Sequence, residues 1–293
     1  MIDYRKIISN RELRLKLINC LRFIPTEPYL KLVYWIKTGK RLNLKNPKTY
    51  CDKLNWLKLH DIHPEYTRMA DKIEVRNYIK EVLGKDICLP LLGAWEHYDD
   101  IDFDSLPDRF VLKCNHDSGS TRVVHDKASM DHSGMKEFFE GRLRLNAYVL
   151  GREYPYRDIN PMICAEAYMV PDGRKDINDY KFLCFNGKPE VMFIVSDRHT
   201  DCRLDYFDMD FNHLPITAVY PNSNKHIEKP RYFEEMNTLA QKLSQGMRFV
   251  RIDLYEINGQ IYFGEFTHFD GGGFWPRQPE EWENKLGDMI DLT

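Results

Sequence analysis

The chain reads as an α+β protein with mainly antiparallel sheet. Three observations carry this. Apolar residues at helical spacing come early, short runs of strand-forming residues dominate after residue 105, and Asn258-Gly259 is a strong hairpin turn between two of those runs. The 293 residues are 43% hydrophobic and 13% aromatic, enough for one large core or two intimate lobes. The plentiful Tyr, Phe and Trp exclude a disordered chain. The 16 Gly and 15 Pro follow no period, which excludes a collagen-like one. A membrane-spanning helix needs about 20 apolar residues, and the best run here, Tyr29 to Ile36, is short and broken by Lys31. No apolar stretch follows Asp3, Arg5 and Lys6, so no signal peptide is expected. The seven cysteines are odd in number and form no C-x-x-C pair, which points to a reducing, cytoplasmic setting.

The elements follow in order. Ile7 to Phe23 suggests an amphipathic helix, and Tyr29–Thr38 a second that stops at Gly39. Pro47-Lys48-Thr49 opens a helix through Leu59, ended by His60 to Pro64; His60 and His63 mark that helix end rather than a metal site. Met69 to Leu83 reads as one helix closed by Gly84, and Cys88 to Gly93 as a short strand-like run. Strands are expected at Phe110–Cys114, Arg122–His125, Met162–Met169, Tyr180–Phe185, Val191–Ser196, Phe249–Glu256 and Gln260–Phe266. Helices are expected at Met135–Ala147 and Glu234–Ser244.

Charge divides the chain. Residues 1–48 hold 12 Lys+Arg against Asp3, Glu12 and Glu27, a balance of +9, while the remainder carries −12. This basic arm is either packed on the body with its lysines solvated, or laid on an anionic membrane surface. Nucleic acid is not an expected partner, because the body is acidic and the arm has no reader motif.

The chemistry concentrates in the last hairpin. Val250, Ile252 and Leu254 alternate with Arg251, Asp253 and Tyr255. A three-residue loop, Ile257-Asn258-Gly259, is expected; it sets Asp253 opposite Phe263 and Glu265 opposite Arg251. Both carboxylates then share a face, about 7–8 Å apart at their α-carbons, a spacing that suits one Mg²⁺. A two-residue turn would put them on opposite faces. Upstream, Lys113 ends a strand and Asn115 to Thr121 forms a small-residue hairpin whose amides can approach phosphate. Neither G-x-x-x-x-G-K-[ST] nor G-x-G-x-x-G is present. Glu166 is the one acid in the apolar strand Ile163 to Met169, either salt-bridged or meeting a ligand.

The order of these motifs resembles the ATP-grasp superfamily through residues 65–270: Asp71-Lys72, Leu89-Pro90-Leu91, Lys113 before its hairpin, the Glu166 strand, Asp179-Tyr180-Lys181 with Asn186-Gly187-Lys188-Pro189, Ser196-Asp197-Arg198, and Arg251-Ile252-Asp253 through Glu265. Lys48–Leu59, Phe110–Ser120, Asp179–Pro189, Phe249–Thr267 and Pro279 to Trp282 look like its TupA-like branch, named for teichuronopeptide biosynthesis. The resemblance implies an ATP-grasp fold over residues 49–293, with a small lobe at about 105–170 and a large lobe at about 171–293 clasping ATP behind the 1–48 arm. It implies that Lys72 and Lys113 hold phosphates, that Ser118, Gly119 and Ser120 form a mobile loop over them, and that Glu166 starts a hinge where Ala167, Tyr168 and Met169 read adenine. Lys181 and Arg198 would face phosphate or the substrate carboxylate, and Asp253, Glu265 and Thr267 would hold Mg²⁺. Arg251 joins the catalytic set, and His268, three residues after Glu265, is the expected general base for an amine.

The implied reaction is ATP-driven joining of a carboxylate to an amine through an acylphosphate, here an amino acid or amine onto a uronic acid of a bacterial surface polysaccharide. Thr267 stands where the superfamily often has Asn, and Asp117 where the branch usually has Gly. A carboxylate beside phosphates is unfavourable unless it turns away or takes a cation. Asp102-Phe103-Asp104 and Asp208-Met209-Asp210 are D-x-D strings, so a metal-dependent glycosyltransferase is the alternative, together with an ATP-dependent glycan kinase.

Overall fold

The computed structural model describes residues 21–169, 178–196 and 201–293. Arg198, His199 and the first twenty residues of the basic arm lie outside them.

Helix α1 (Thr26–Thr38) ends where Gly39 turns left-handed at φ 71°. Helix α2 (Tyr50–His60) starts at a reciprocal cap: the Thr49 hydroxyl accepts from the Asp52 amide at 3.1 Å, and the Asp52 carboxylate accepts from the Thr49 amide at 3.4 Å. The single helix expected over Met69–Leu83 is two, α3 (Pro64–Ala70) and α4 (Val75–Leu83). Asp71 leaves the helical region at φ −75°, ψ 116°, and its carboxylate accepts the Ile73 amide at 2.8 Å. An aspartate side chain competes with the helical ladder for backbone donors, so the break falls there. It delivers Lys72 to the first sheet, where its amide donates to the Asn115 carbonyl at 3.3 Å.

That first sheet has the order β1-β4-β2-β3, all antiparallel: β1 (Leu91–Trp95), β2 (Phe110–Cys114), β3 (Arg122–Val124) and β4 (Ile163–Ala167). Phe110, Leu112, Ile163 and Ala165 pack with Phe139 of α5 (His132–Leu143), all fully buried. The helix expected to reach Ala147 stops at Leu143 and resumes as the single turn α6 (Tyr148–Gly151).

The second sheet runs β10-β9-β5-β6-β7-β8, again antiparallel. It comprises β5 (Asp179–Phe185), β6 (Lys188–Ser196), β7 (Arg203–Asp208), β8 (His213–Leu214), β9 (Phe249–Ile257) and β10 (Gln260–Thr267). Helix α7 (Phe233–Leu243) lays Met236, Ala240 and Leu243 on Phe182, Ile252 and Leu254. Strands β7 and β8 were not expected, nor was helix α8 (Glu280–Asp288), which packs on α2. A Cβ on Gly287 would collide with the Lys48 carbonyl, so glycine sets that close crossing. The segment just ahead of β1 is tied to β10, where the Phe263 amide donates to the Ile87 carbonyl at 2.7 Å.

The last hairpin departs from the expected register in an instructive way. Gln260 pairs with Ile257 and Tyr262 with Tyr255, so the turn has two residues, with Asn258 and Gly259 at φ 50° and 81°. That turn alone would separate the two acids. A bulge between Phe263 and Glu265 shifts the register by one and sets Glu265 directly opposite Asp253. The bulged residue is Gly264, where a Cβ would sit 2.9 Å from the Tyr255 ring and 3.1 Å from the Asp253 carbonyl oxygen. The expected shared face is therefore real, and its cause is the bulge rather than the loop.

Candidate active site

One rung of the large sheet carries the charged groups. Glu265 of β10 faces Asp253 of β9, and Asp253 faces Lys181 of β5. Alternation aims all three away from the core formed by Ile252 and Leu254. Lys181 pairs with Asp253 and, at 2.8 Å, with Asp179. Arg251 gathers three acids: Asp253 at 2.6 Å, Asp270 at 2.7 Å and Glu265 at 2.9 Å. Asp270 is shared with the fully buried Arg277. Burial would raise the Asp253 carboxyl, but Arg251 and Lys181 outweigh it and hold the pKa at about 2. Glu265 is the more open acid, its side chain 38% exposed, with the Thr267 hydroxyl 3.3 Å from Oε1.

The small sheet supplies the facing cations. Lys113 pairs with Glu166 at 2.6 Å across β2 and β4. Burial disfavours its ammonium, yet Glu166 and, across the cleft, Glu265 keep its pKa above the ordinary lysine value. Glu166 is thus salt-bridged. Lys72 Nζ reaches the carbonyls of Asn115, at 3.3 Å, and Asp117, so it braces the small-residue hairpin. The Asn115 amide in turn donates to both Asp71 carboxylate oxygens at 3.1 Å.

Asp117 turns away from the cleft. Its buried carboxylate pairs with Arg142 of α5 and accepts the Ser120 hydroxyl at 2.5 Å. The Ser120 oxygen accepts the Cys114 amide at 2.8 Å, so this serine holds the turn. Only Ser118 and Gly119 of the expected loop are exposed. At the end of β4 the Ala167 amide donates to the Pro90 carbonyl at 2.9 Å, and the Tyr168 ring lies edge-on to His125.

His268 does not reach the rung. It is buried, its ring stacks on Tyr66 at 4.1 Å, and neither ring nitrogen has a hydrogen-bond partner. Burial, and then the neighbouring His63, push its pKa down to about 3. A neutral packed ring is a poor proton acceptor for a substrate in the cleft. Asp270-Gly271-Gly272-Gly273 is a tight turn with all three glycines left-handed. The Asn55 amide donates to the Gly273 carbonyl at 2.7 Å, and the Lys58 ammonium to the carbonyls of Gly272 at 2.6 Å and Gly151 at 2.7 Å.

Asp179, Asp270, Arg277 and Arg142 escaped the sequence reading as site residues, and so did Glu153 and Tyr156. The carboxylate of Glu153 and the hydroxyl of Tyr156 feel both Arg251 and Glu265. A signal existed for Asp270 and Glu153: each is an acid beside a glycine or aromatic-proline turn, where a solvated loop needs no charge.

Both D-x-D strings are turn caps. Asp208 accepts the amides of Asp210 at 3.0 Å and Asn212 at 2.8 Å, and Asp102 accepts that of Asp104 at 3.2 Å. No cluster of three or more His, Cys, Asp or Glu side chains suited to a metal occurs among the described residues. The oxygen donors Asp253, Glu265 and Thr267 nevertheless suit a hard cation shared with phosphate, because such a site needs only one or two carboxylates. Arg251 takes both Asp253 oxygens, at 2.6 and 2.8 Å, and Glu265 Oε1 at 2.9 Å, and Lys181 also pairs with Asp253, so a cation there would share these acids with Arg251 and Lys181 or displace them.

The TupA-like ATPgrasp family model matches residues 52–291, most of the chain and all of this rung. The chain belongs to the TupA-like ATP-grasp family. Its fold is the ATP-grasp fold, with the two facing sheets just described. Among solved structures, the D-alanine–D-alanine ligase from Bacillus anthracis complexed with ATP is 17% identical, over 76% of this chain and 63% of that one, at a TM-score of 0.41. D-alanyl-alanine synthetase A from Vibrio cholerae is 14% identical, over 74% and 62%, at 0.43. The ATP-grasp ligase PsnB, complexed with a minimal precursor, Mg and ADP, is 10% identical, over 70% and 52%, at 0.37. This ATP-grasp chain therefore spans less than two thirds of the length of each. No curated protein matches it.

Proposed function

We propose that the chain is an ATP- and Mg²⁺-dependent carboxylate–amine ligase that attaches an amino acid or amine to a uronic acid of a bacterial surface polysaccharide. The observation that carries this reading is the rung of Lys181, Asp253 and Glu265 facing Lys113. Two acids and three cations, counting Arg251, suit the transfer of a phosphoryl group, which needs positioning and charge neutralisation more than a covalent nucleophile. Membership of the TupA-like family supports the polysaccharide substrate.

In the proposed reaction a substrate carboxylate oxygen attacks the γ-phosphorus of ATP. The bond to the β,γ-bridging oxygen breaks, and ADP leaves. The amine nitrogen then attacks the acyl carbon, phosphate departs with the C–O electron pair, and the nitrogen loses a proton. In this reading Lys113, which pairs with Glu166, and Lys72, which braces the hairpin, would hold phosphate oxygens, and Arg251 fixes the positions of Asp253 and Glu265 through its ion pairs with both. Mg²⁺ on Asp253, Glu265 and Thr267 would neutralise phosphate charge. Ser118 and Gly119, exposed at the hairpin tip, would shield the acylphosphate from water.

The test is incubation with ATP, Mg²⁺, a panel of uronic acids and a panel of amino acids. ADP, phosphate and an amide are the expected products. A phosphorylated sugar would make the enzyme a glycan kinase. Consumption of a sugar nucleotide would make it a glycosyltransferase, a reading that the turn-capping role of both D-x-D strings disfavours.

A further inference from the structure

Helix α1 has two apolar faces. One is spent on the protein: Tyr29, Leu30 and Tyr34 are buried against Phe274. The other carries Pro28, Leu32, Trp35 and Ile36, spaced i, i+4, i+7 and i+8 along one stripe. All four are exposed, Trp35 at 58%, and the turn just before the helix adds Leu21 and Phe23, the latter at 79%. Scattered exposed apolar residues need no explanation, but four on one face of a helix, with Leu21 and Phe23 exposed in the turn before it, do.

The rim of that stripe is basic. Between residues 21 and 48 stand seven Lys+Arg and one acid, Glu27. Arg22, Lys31, Lys40, Arg41, Lys45 and Lys48 are exposed. Glu27 is taken up by Lys31 at 2.5 Å and Glu280 of α8 by Lys40 at 3.5 Å, and Arg22, Arg41, Lys45 and Lys48 carry the remaining positive charge. A protein partner's apolar patch would not call for this excess of one sign. An anionic lipid surface does, since aromatic rings sit at headgroup level and each cation gains from the negative potential.

We propose that the outer face of α1, with the turn before it, docks on the surface of an anionic lipid bilayer. The buried face then decides what the docking brings close. Lys37 lies 4.5 Å from the Phe274 ring, and Phe274 follows the glycine turn whose first residue, Asp270, pairs with Arg251. The charged rung thus sits a helix and a loop away from the bilayer, in reach of an acceptor anchored in lipid. The docking itself is independent of the chemistry proposed for the cleft.

The experiment is co-sedimentation of the full chain with phosphatidylcholine vesicles, and with the same vesicles containing phosphatidylglycerol. Binding is expected only with phosphatidylglycerol and should weaken as salt rises. The Phe23→Ser/Trp35→Ser double variant should lower the partition coefficient at least about tenfold, because two aromatics leave the interface. The Arg41→Gln/Lys45→Gln variant should lower it less and flatten the salt dependence. Both pairs are exposed, so ATP–Mg²⁺ protection against heat should be unchanged, and Asp253→Asn should leave vesicle binding intact. No binding, equal binding to both vesicles, or unchanged binding of the aromatic variant would overturn the proposal. So would self-association that the aromatic variant abolishes without any vesicle binding, which would make the stripe an interface between copies.

Discussion

Asp253 and His268 respond to acid for opposite reasons, and each makes a prediction at the scale of one residue. The carboxyl of Asp253 is lowered from 3.8 to about 2 by Arg251 and Lys181. A group depressed in the native state adds stability above its unfolded pKa and loses it as pH falls through the native value. This pair should therefore contribute about 2 kcal/mol above pH 4 that vanishes towards pH 2. His268 is lowered from 6.5 to about 3, because burial favours the neutral ring. Its sign is the same: stability is complete above about pH 6.5 and falls by about 1.4 kcal/mol per unit below it, well before the carboxylates titrate. His268→Phe keeps the stack on Tyr66 and gives up no hydrogen bond. Thermal melts of that variant should match the parent at pH 7 and stay flatter between pH 6.5 and 4. Its rate of amide formation should stay within a few-fold of the parent, whereas a loss of 10² or more would restore His268 as the base. Asp253→Asn should cost 10² or more in ATP turnover, since it removes a charge from the phosphoryl-transfer site.

Elements make stronger demands than residues, and the last hairpin shows why. The alternation of Arg251-Ile252-Asp253-Leu254 was legible, as was the partnership of Asp253 and Glu265. What escaped was how the partnership arises, because a bulge depends on close approach between Gly264, the Tyr255 ring and the Asp253 carbonyl, which no spacing rule displays. Gly264→Ala should force that contact apart, destabilise the protein by about 1–3 kcal/mol and abolish any extra heat protection that Mg²⁺ gives to ATP binding. The hairpin after β2 teaches the same lesson. Asp117 looked hostile to phosphate in the sequence, and its partner Arg142 lies on a helix 25 residues away, beyond any local pattern. Arg142→Leu should destabilise by about 3–5 kcal/mol, because Asp117 stays buried without a counter-charge; adding Asp117→Leu should recover part of the loss. Strand β2 and the capped start of α2 were readable because Phe110–Cys114 and Thr49-x-x-Asp52 carry their own local signals. Strands β7 and β8 were not, since the pairing of Tyr206 with Phe193 of β6 on one side and Leu214 of β8 on the other is a property of the sheet.

At the scale of the whole molecule, two sheets have separate cores, and the segments between them bond to each: Phe263 of β10 to Ile87 ahead of β1, and Lys72, between α3 and α4, to Asn115 after β2. A ligand that touches Lys113 and the rung together would tie these bodies to each other. ATP with Mg²⁺ at a hundredfold excess over its Kd should raise global stability by about 2.7 kcal/mol, measured as a shift in the melting curve. Lys113→Met should remove that shift while leaving the unliganded melt of the large sheet in place. If nucleotide stabilised the parent and the Lys113→Met variant equally, the sheets would not share it.

The lysine under the glycine turn has a further use. Lys58 is sealed beneath Gly272 and Phe274, and burial brings its pKa down to about 7. Its nitrogen is spent on Asn55 Oδ1 and the carbonyls of Gly151 and Gly272, so it meets an acylating reagent only when those bonds open. Only its seat protects it. The rate at which Lys58 acquires a mass label would therefore count how often the turn lifts, and a bound substrate that pins the turn should slow that clock without touching the lysine itself.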